Sequence, residues 1–153
     1  MMISTLKNIA FKLLYLAVLV YLLVYTPIIF KYKPLVILSG SMEPTLKVGG
    51  ILYYKEIPKN QFKTNDILVY KTSSYIVSNR VLKTYPNFFI TKGDNNSHTE
   101  TINIESIIGK GTNWSIPLIG YYVAFIYNHK IILYLSLSLI FIDYIYEKRK
   151  VNS

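Results

Sequence analysis

The chain has no cysteine in its 153 residues. Disulfide staples, thiolate metal sites and a thiol nucleophile are therefore excluded. Arginine is scarce, represented by Arg80 and Arg149 alone. The formal net charge is +9, yet the cations are scattered and form no arginine-rich run, which argues against a nucleic-acid partner. His98 and His129 are the only imidazoles. There is no internal repeat or low-complexity tract, and no helical periodicity between Lys31 and about Pro117. The length allows one modest domain plus membrane segments.

What is abundant is apolar: 52% of the residues are hydrophobic. Leu13 to Phe30 is an uncharged run of 18 residues, about 27 Å as a helix, which matches the hydrocarbon core and predicts a transmembrane helix. A cleavable leader is the rival reading. Its apolar region is normally shorter and ends in small residues, whereas this run ends Tyr25-Thr26-Pro27-Ile28-Ile29-Phe30, so an uncleaved anchor is expected. Ile131 to Tyr146, about 24 Å as a helix, predicts a second span. Tyr134, Tyr144 and Tyr146 suit an interface belt, and Asp143 lies close to the charged end. The alternative for this segment is a buried hairpin of a soluble domain. Lys7 and Lys12 at one end of the chain, and Lys148-Arg149-Lys150 at the other, are topology signals that put both termini in the cytoplasm.

Between these segments, short runs rich in Ile, Val, Tyr and Phe alternate with Pro, Asn, Gly and Asp, as in β-rich domains. Strands are predicted at Ile51–Lys55, Asp66–Lys71, Tyr75–Lys83, Asn87–Lys92 and Ile102–Lys110. The expected architecture is mainly β, with a small β domain (31–120) between an N-terminal anchor (1–30) and a second membrane segment with a basic tail (121–153). The β domain then faces outside. Two Asn-x-Ser glycosylation patterns, at Asn95 and Asn113, fall in this exposed part.

The chemistry concentrates at Ser39-Gly40-Ser41-Met42-Glu43-Pro44-Thr45. Gly40 permits a bend that a side chain would strain, and Pro44 stops a helix from running through it. A serine on a constrained turn beside backbone N–H groups is one way to build a nucleophile with an oxyanion hole. Ser and Gly in such a stretch also make an ordinary loop.

This string closely resembles the S-G-S-M-x-P-T box of type I signal peptidases, membrane-bound serine proteases that remove signal peptides. Three further segments follow in the family's order. Asn65-Asp66-Ile67-Leu68-Val69-Tyr70 resembles the G-D-I strand, with Asn65 in place of Gly. Thr91-Lys92-Gly93-Asp94-Asn95-Asn96 matches the T-K-G-D-x-N box of the archaeal and endoplasmic-reticulum branch. Ile116-Pro117-Leu118-Ile119-Gly120-Tyr121 resembles the closing P-x-x-G-Y segment. The resemblance covers about Ser39 to Tyr121 and implies Ser41 as nucleophile, with Ser39 and the Ser41 N–H stabilising the oxyanion. Asp94 becomes the box aspartate near the catalytic centre, and Arg80 and Glu100 become supporting residues. Glu100 stands where the branch carries a further Asp.

One position departs from the pattern. The family's Lys or His base precedes Arg-Val, and here that residue is Asn79, whose carboxamide cannot take up a proton. His98 is a candidate substitute, and Lys83 and Lys92 are candidates only if burial lowers their pKa. Ile37, Ile51 and Tyr53 are expected to line shallow pockets for the small residues before the scissile bond.

Two functions follow. One is an endopeptidase at the outer surface of the cell membrane, needing no cofactor or metal, whose partners are signal peptides of secreted preproteins, membrane lipid and the secretion translocon. The other is a catalytically impaired relative that binds signal peptides or a partner peptidase. The related SOS-repressor-type autoproteases share the serine-bearing β domain but are soluble, so the membrane segments argue against that kinship.

Overall fold

The computed structural model describes residues 2–151, with side chains at 5–149. The chain divides into two compact units. One comprises residues 27–122 and the other is drawn from 1–26 and 123–153.

The first unit is built on a seven-stranded sheet: β1 (Lys33–Val36), β2 (Ile51–Lys55), β3 (Ile67–Lys71), β4 (Ile76–Thr84), β5 (Phe88–Lys92), β6 (Thr99–Asn103) and β7 (Ile107–Ile116). The spatial order is β1-β2-β7-β3-β4-β5-β6, and every neighbouring pair is antiparallel. Ile67 to Tyr70 are all buried, because β3 has apolar side chains packed on both faces. Ile67 and Val69 join Ile37, Met42, Leu46, Leu52 and Tyr54 in one core cluster. Leu68 and Tyr70 join Phe62, Val81, Phe89, Ile102 and Ile107 in another.

Two sequence expectations are corrected here. The single strand expected over Ile102–Lys110 is two strands. They are separated by a 3-10 turn at Ile104–Ser106, where the Asn103 side chain accepts the Glu105 N–H. The extra strand β1 was not expected. Its Pro34 is tolerated because β1 lies at the sheet edge.

The second unit is helical. α1 (Met2–Tyr25) is followed by a 3-10 turn at Thr26–Phe30. Among the described residues, the stretch Thr5–Phe30 alone is long and apolar enough to cross a membrane as one helix. The second span expected over 131–146 takes a different form. α2 (Ile119–Asn128) and α3 (Lys130–Val151) meet at a 93° bend and reach membrane-crossing length and hydropathy only as a pair. The carboxylates and cations near the end of α3 (Asp143, Glu147, Lys148, Arg149) dilute its apolar character. Ser136 and Ser138 return their hydroxyls to the carbonyls of Ile132 and Tyr134, which satisfies them without an outside partner.

α1 and α3 run antiparallel. Lys7 Nζ lies 3.8 Å from Asp143 Oδ1, and Tyr15 Oη donates to the Ile140 carbonyl at 3.5 Å. The start of α1 therefore lies beside the end of α3.

Candidate active site

The Ser39–Thr45 segment leaves the edge strand and forms a 3-10 turn at Gly40–Met42. Glu43 N–H closes the turn on the Gly40 carbonyl at 3.1 Å. The turn is anchored from below: Met42 and Leu46 are 1% and 0% exposed within the first core cluster. Burying each contributes about 1.5–3 kcal/mol. Ser41 is left half-buried and Ser39 exposed, with their Oγ atoms 3.2 Å apart.

The glycine constraint lies elsewhere than the sequence implied. Gly40 has no positive φ, and a Cβ there meets nothing closer than 3.5 Å. Gly93 is the position that excludes a side chain, since a Cβ would lie 2.6 Å from the Ser41 carbonyl oxygen. That contact lets the β5–β6 turn grip the serine loop by its backbone. Asn95 N–H donates to the Ser41 carbonyl at 2.9 Å, and Asn95 Nδ2 donates to the Gly40 carbonyl at 3.4 Å.

Asp94 and Arg80 make the second tie. Arg80 Nε donates to Asp94 Oδ1 at 2.7 Å and Nη2 to Oδ2 at 2.6 Å, a bidentate pair. Thr45 Oγ1 also donates to Asp94 Oδ2 at 2.6 Å, and Arg80 Nη1 donates to the Asn65 carbonyl at 2.9 Å. The hydrogen bond from Arg80 holds the Asp94 carboxyl below its usual range, with burial opposing and Thr45 assisting. Asp94 thus fastens the end of the serine box to β4, and no hydrogen bond joins it to Ser41 among the described residues. The closing Pro117–Tyr121 segment supports the box from its other end. Gly120 N–H donates to the Gly49 carbonyl at 2.9 Å, and the Tyr121 ring fills the space beside Gly49.

A cleft of about 640 Å³ opens over Ser41. It is lined by Leu35 to Ser39 with Ser41 and Met42, by Tyr75 to Asn79, and by Tyr70, Thr72, Asn96 and Glu100. Ser39, Ser41, Asn79 and Glu100 are therefore brought together. Asn79 is 1% exposed. Its Nδ2 donates to Tyr70 Oη at 3.0 Å and lies 3.5 Å from Thr91 Oγ1. Tyr70 Oη donates in turn to Glu100 Oε2 at 2.7 Å. Burial first, and the adjoining Glu100 carboxylate second, push the Tyr70 phenol well above its ordinary pKa.

The other candidates lie apart from this cleft. His98 is exposed in the β5–β6 turn, Lys83 is exposed on β4, and Lys92 is half-buried on β5; none lines the cleft. The burial that would activate Lys83 is absent, because its side chain leaves β4 toward solvent. Ile37 does line the cleft, but Ile51 and Tyr53 do not. Ile51 is fully buried, and Tyr53 packs on Trp114 with ring centres 5.9 Å apart.

Sequence reasoning missed Tyr70, Thr45 and Thr91. Thr45 was legible as the last residue of the serine box. Tyr70 carried no local signal, because its partners are 9 and 30 residues away.

Comparison with known proteins brings out one recurrent likeness. The chain is 42% identical over 69 residues, 40% of its length, to the signal peptidase complex catalytic subunit SEC11 of Debaryomyces hansenii. It is 41% identical over 68 residues, again 40% of its length, to the SEC11 subunit of Clavispora lusitaniae. It is 30% identical over 86 residues, 52% of its length, to the SEC11C subunit of Homo sapiens. The matched stretches span 41%, 40% and 43% of those relatives' own lengths. No protein-family model matches the chain. Its homologues are thus catalytic subunits of the signal peptidase complex, at moderate identity over part of each chain.

Proposed function

We propose, from the chain's homology to signal peptidase catalytic subunits, that it is a membrane-bound serine endopeptidase that removes signal peptides from preproteins. The observation that carries this is the Ser41 hydroxyl. It sits on a turn clamped by three separate segments, has Ser39 Oγ at 3.2 Å, and opens onto a cleft lined by two largely apolar stretches.

The cleft suits an extended peptide. Leu35 to Leu38 are one apolar stretch of its lining and Ile76 and Val77 the other, so the backbone of a bound segment runs between them past Ser41. Attack by Ser41 Oγ on the scissile carbonyl forms a C–O bond and an oxyanion. The Ser41 N–H and the Ser39 hydroxyl are the donors for that charge, and such donors contribute about 10²–10³-fold each. Collapse of the intermediate expels the amine of the mature chain, and water then releases the acyl group.

The membrane part of the proposal rests on the helical unit. The Thr5–Phe30 stretch serves as the anchor, and only ten residues separate Phe30 from Ser41. The antiparallel contact of Lys7 with Asp143 supports both termini lying on one side of the bilayer, with the β domain on the other.

Replacing Ser41→Ala in the full chain tests the reading, with cleavage of a preprotein carrying an intact signal peptide as the assay. Cleavage is expected to fall to background, and undiminished cleavage overturns the assignment. Asn79 favours a second reading, in which the chain binds signal peptides without cutting them. The homologues' role as catalytic subunits weighs against it.

A further inference from the structure

Under the reading that Ser41 is the nucleophile, its proton needs an acceptor, and the residues in the cleft narrow the choice. Asn79 has no basic atom; its carboxamide nitrogen only donates. His98, Lys83 and Lys92 do not line the cleft. Glu100 is the one carboxylate among the lining residues, and Tyr70 Oη lies between it and Asn79.

The hydrogen-bond inventory of that phenol fixes its direction. A tyrosine oxygen has one proton and two lone pairs. The proton points to Glu100 Oε2 at 2.7 Å, and one lone pair receives Asn79 Nδ2 at 3.0 Å. One lone pair remains to accept a further proton. We propose that Tyr70 and Glu100 together accept the Ser41 proton, with Asn79 as the positioning residue that aims the phenol oxygen.

The transfer balances. As Ser41 Oγ bonds to the scissile carbonyl carbon, its proton moves to Tyr70 Oη while the phenol's own proton moves to Glu100, so Glu100 becomes the neutral acid. On collapse the two protons move back. Glu100 reprotonates Tyr70 as Tyr70 protonates the departing amine, and the C–N bond breaks. In deacylation water takes the place of Ser41 in the first half, and the protons then move back so that Tyr70 returns one to Ser41 Oγ as the acyl C–O bond breaks.

Glu100→Gln and Tyr70→Phe in the full chain test the relay. Both keep side-chain shape, and Glu100 is exposed, so at least that variant keeps its fold; a thermal melt checks both. Each is expected to lower kcat about 10²–10³-fold with KM for the preprotein little changed. The double variant is expected to be no slower than the worse single one, because the two groups act as one unit. A merely structural pair would instead shift melting and add its effects.

Full kcat in Glu100→Gln overturns the relay. If that cleavage still vanishes with Ser41→Ala, the nucleophile stands without it. Cleavage indifferent to Ser41→Ala overturns both. A silent wild type that Asn79→His awakens overturns the relay and keeps Ser41.

Discussion

Asp94 shows how a residue can hold a candidate site together without a hydrogen bond to its serine among the described residues. Its carboxylate is held between Arg80 and Thr45, so losing the charge loosens the serine box. Asp94→Asn is expected to destabilise the fold by about 1.5–3 kcal/mol, the range for hydrogen bonds to charged groups, measured by denaturant unfolding at neutral pH. The sign of the pH dependence follows from the lowered carboxyl. A depressed folded pKa stabilises above the ordinary carboxylate value and loses that contribution as pH falls through the folded one. The gap between wild type and variant is therefore expected to close below about pH 4. A gap that persists at lower pH would show that the clamp does not depend on ionisation.

At the scale of elements, the turn between β5 and β6 holds the serine loop in place. Gly93→Ala forces a methyl group against the Ser41 carbonyl, and the turn and the loop cannot both keep their positions. Cleavage is expected to fall at least tenfold while the sheet persists, which circular dichroism alongside the cleavage assay can check. The reason this turn is a glycine was legible only in part. The Thr91–Asn96 string pointed to the right segment, but nothing local showed that its glycine abuts residue 41. Asn65 was legible through the resemblance: it stands where the family has Gly, both residues tolerate left-handed backbone, and its φ is 73°. The break between β6 and β7 was hidden because isoleucines at 102, 104, 107 and 108 continue across it. The Asn103 cap was the one available sign. α2 was not anticipated, because Pro117 to Tyr121 was read only as the closing P-x-x-G-Y segment.

For the whole molecule, the cysteine-free sequence makes topology directly measurable. One cysteine placed by Ser97→Cys in the β5–β6 turn, or by Lys148→Cys near the end of α3, is the sole thiol in the chain. In sealed cells, a membrane-impermeant thiol reagent is expected to label the first and spare the second. Equal labelling overturns the proposed two-pass arrangement. The apolar run over 13–30 was readable because a helix long and apolar enough to cross a membrane announces itself by composition alone. The polar chain from Asn79 through Tyr70 to Glu100 was not, because it exists only once β3, β4 and β6 have been assembled.

The clamp on Ser41 also sets an order of events during synthesis. The serine box is complete once the ribosome passes Thr45, but its fasteners, Arg80, Gly93, Asp94 and Asn95, arrive up to fifty residues later. A nascent chain halted before them carries its hydroxyl on an untethered loop. The clamped geometry of Ser41 is thus out of reach of the growing polypeptide until the β4–β5 hairpin and the turn after it have emerged, a delay written into sequence separation alone.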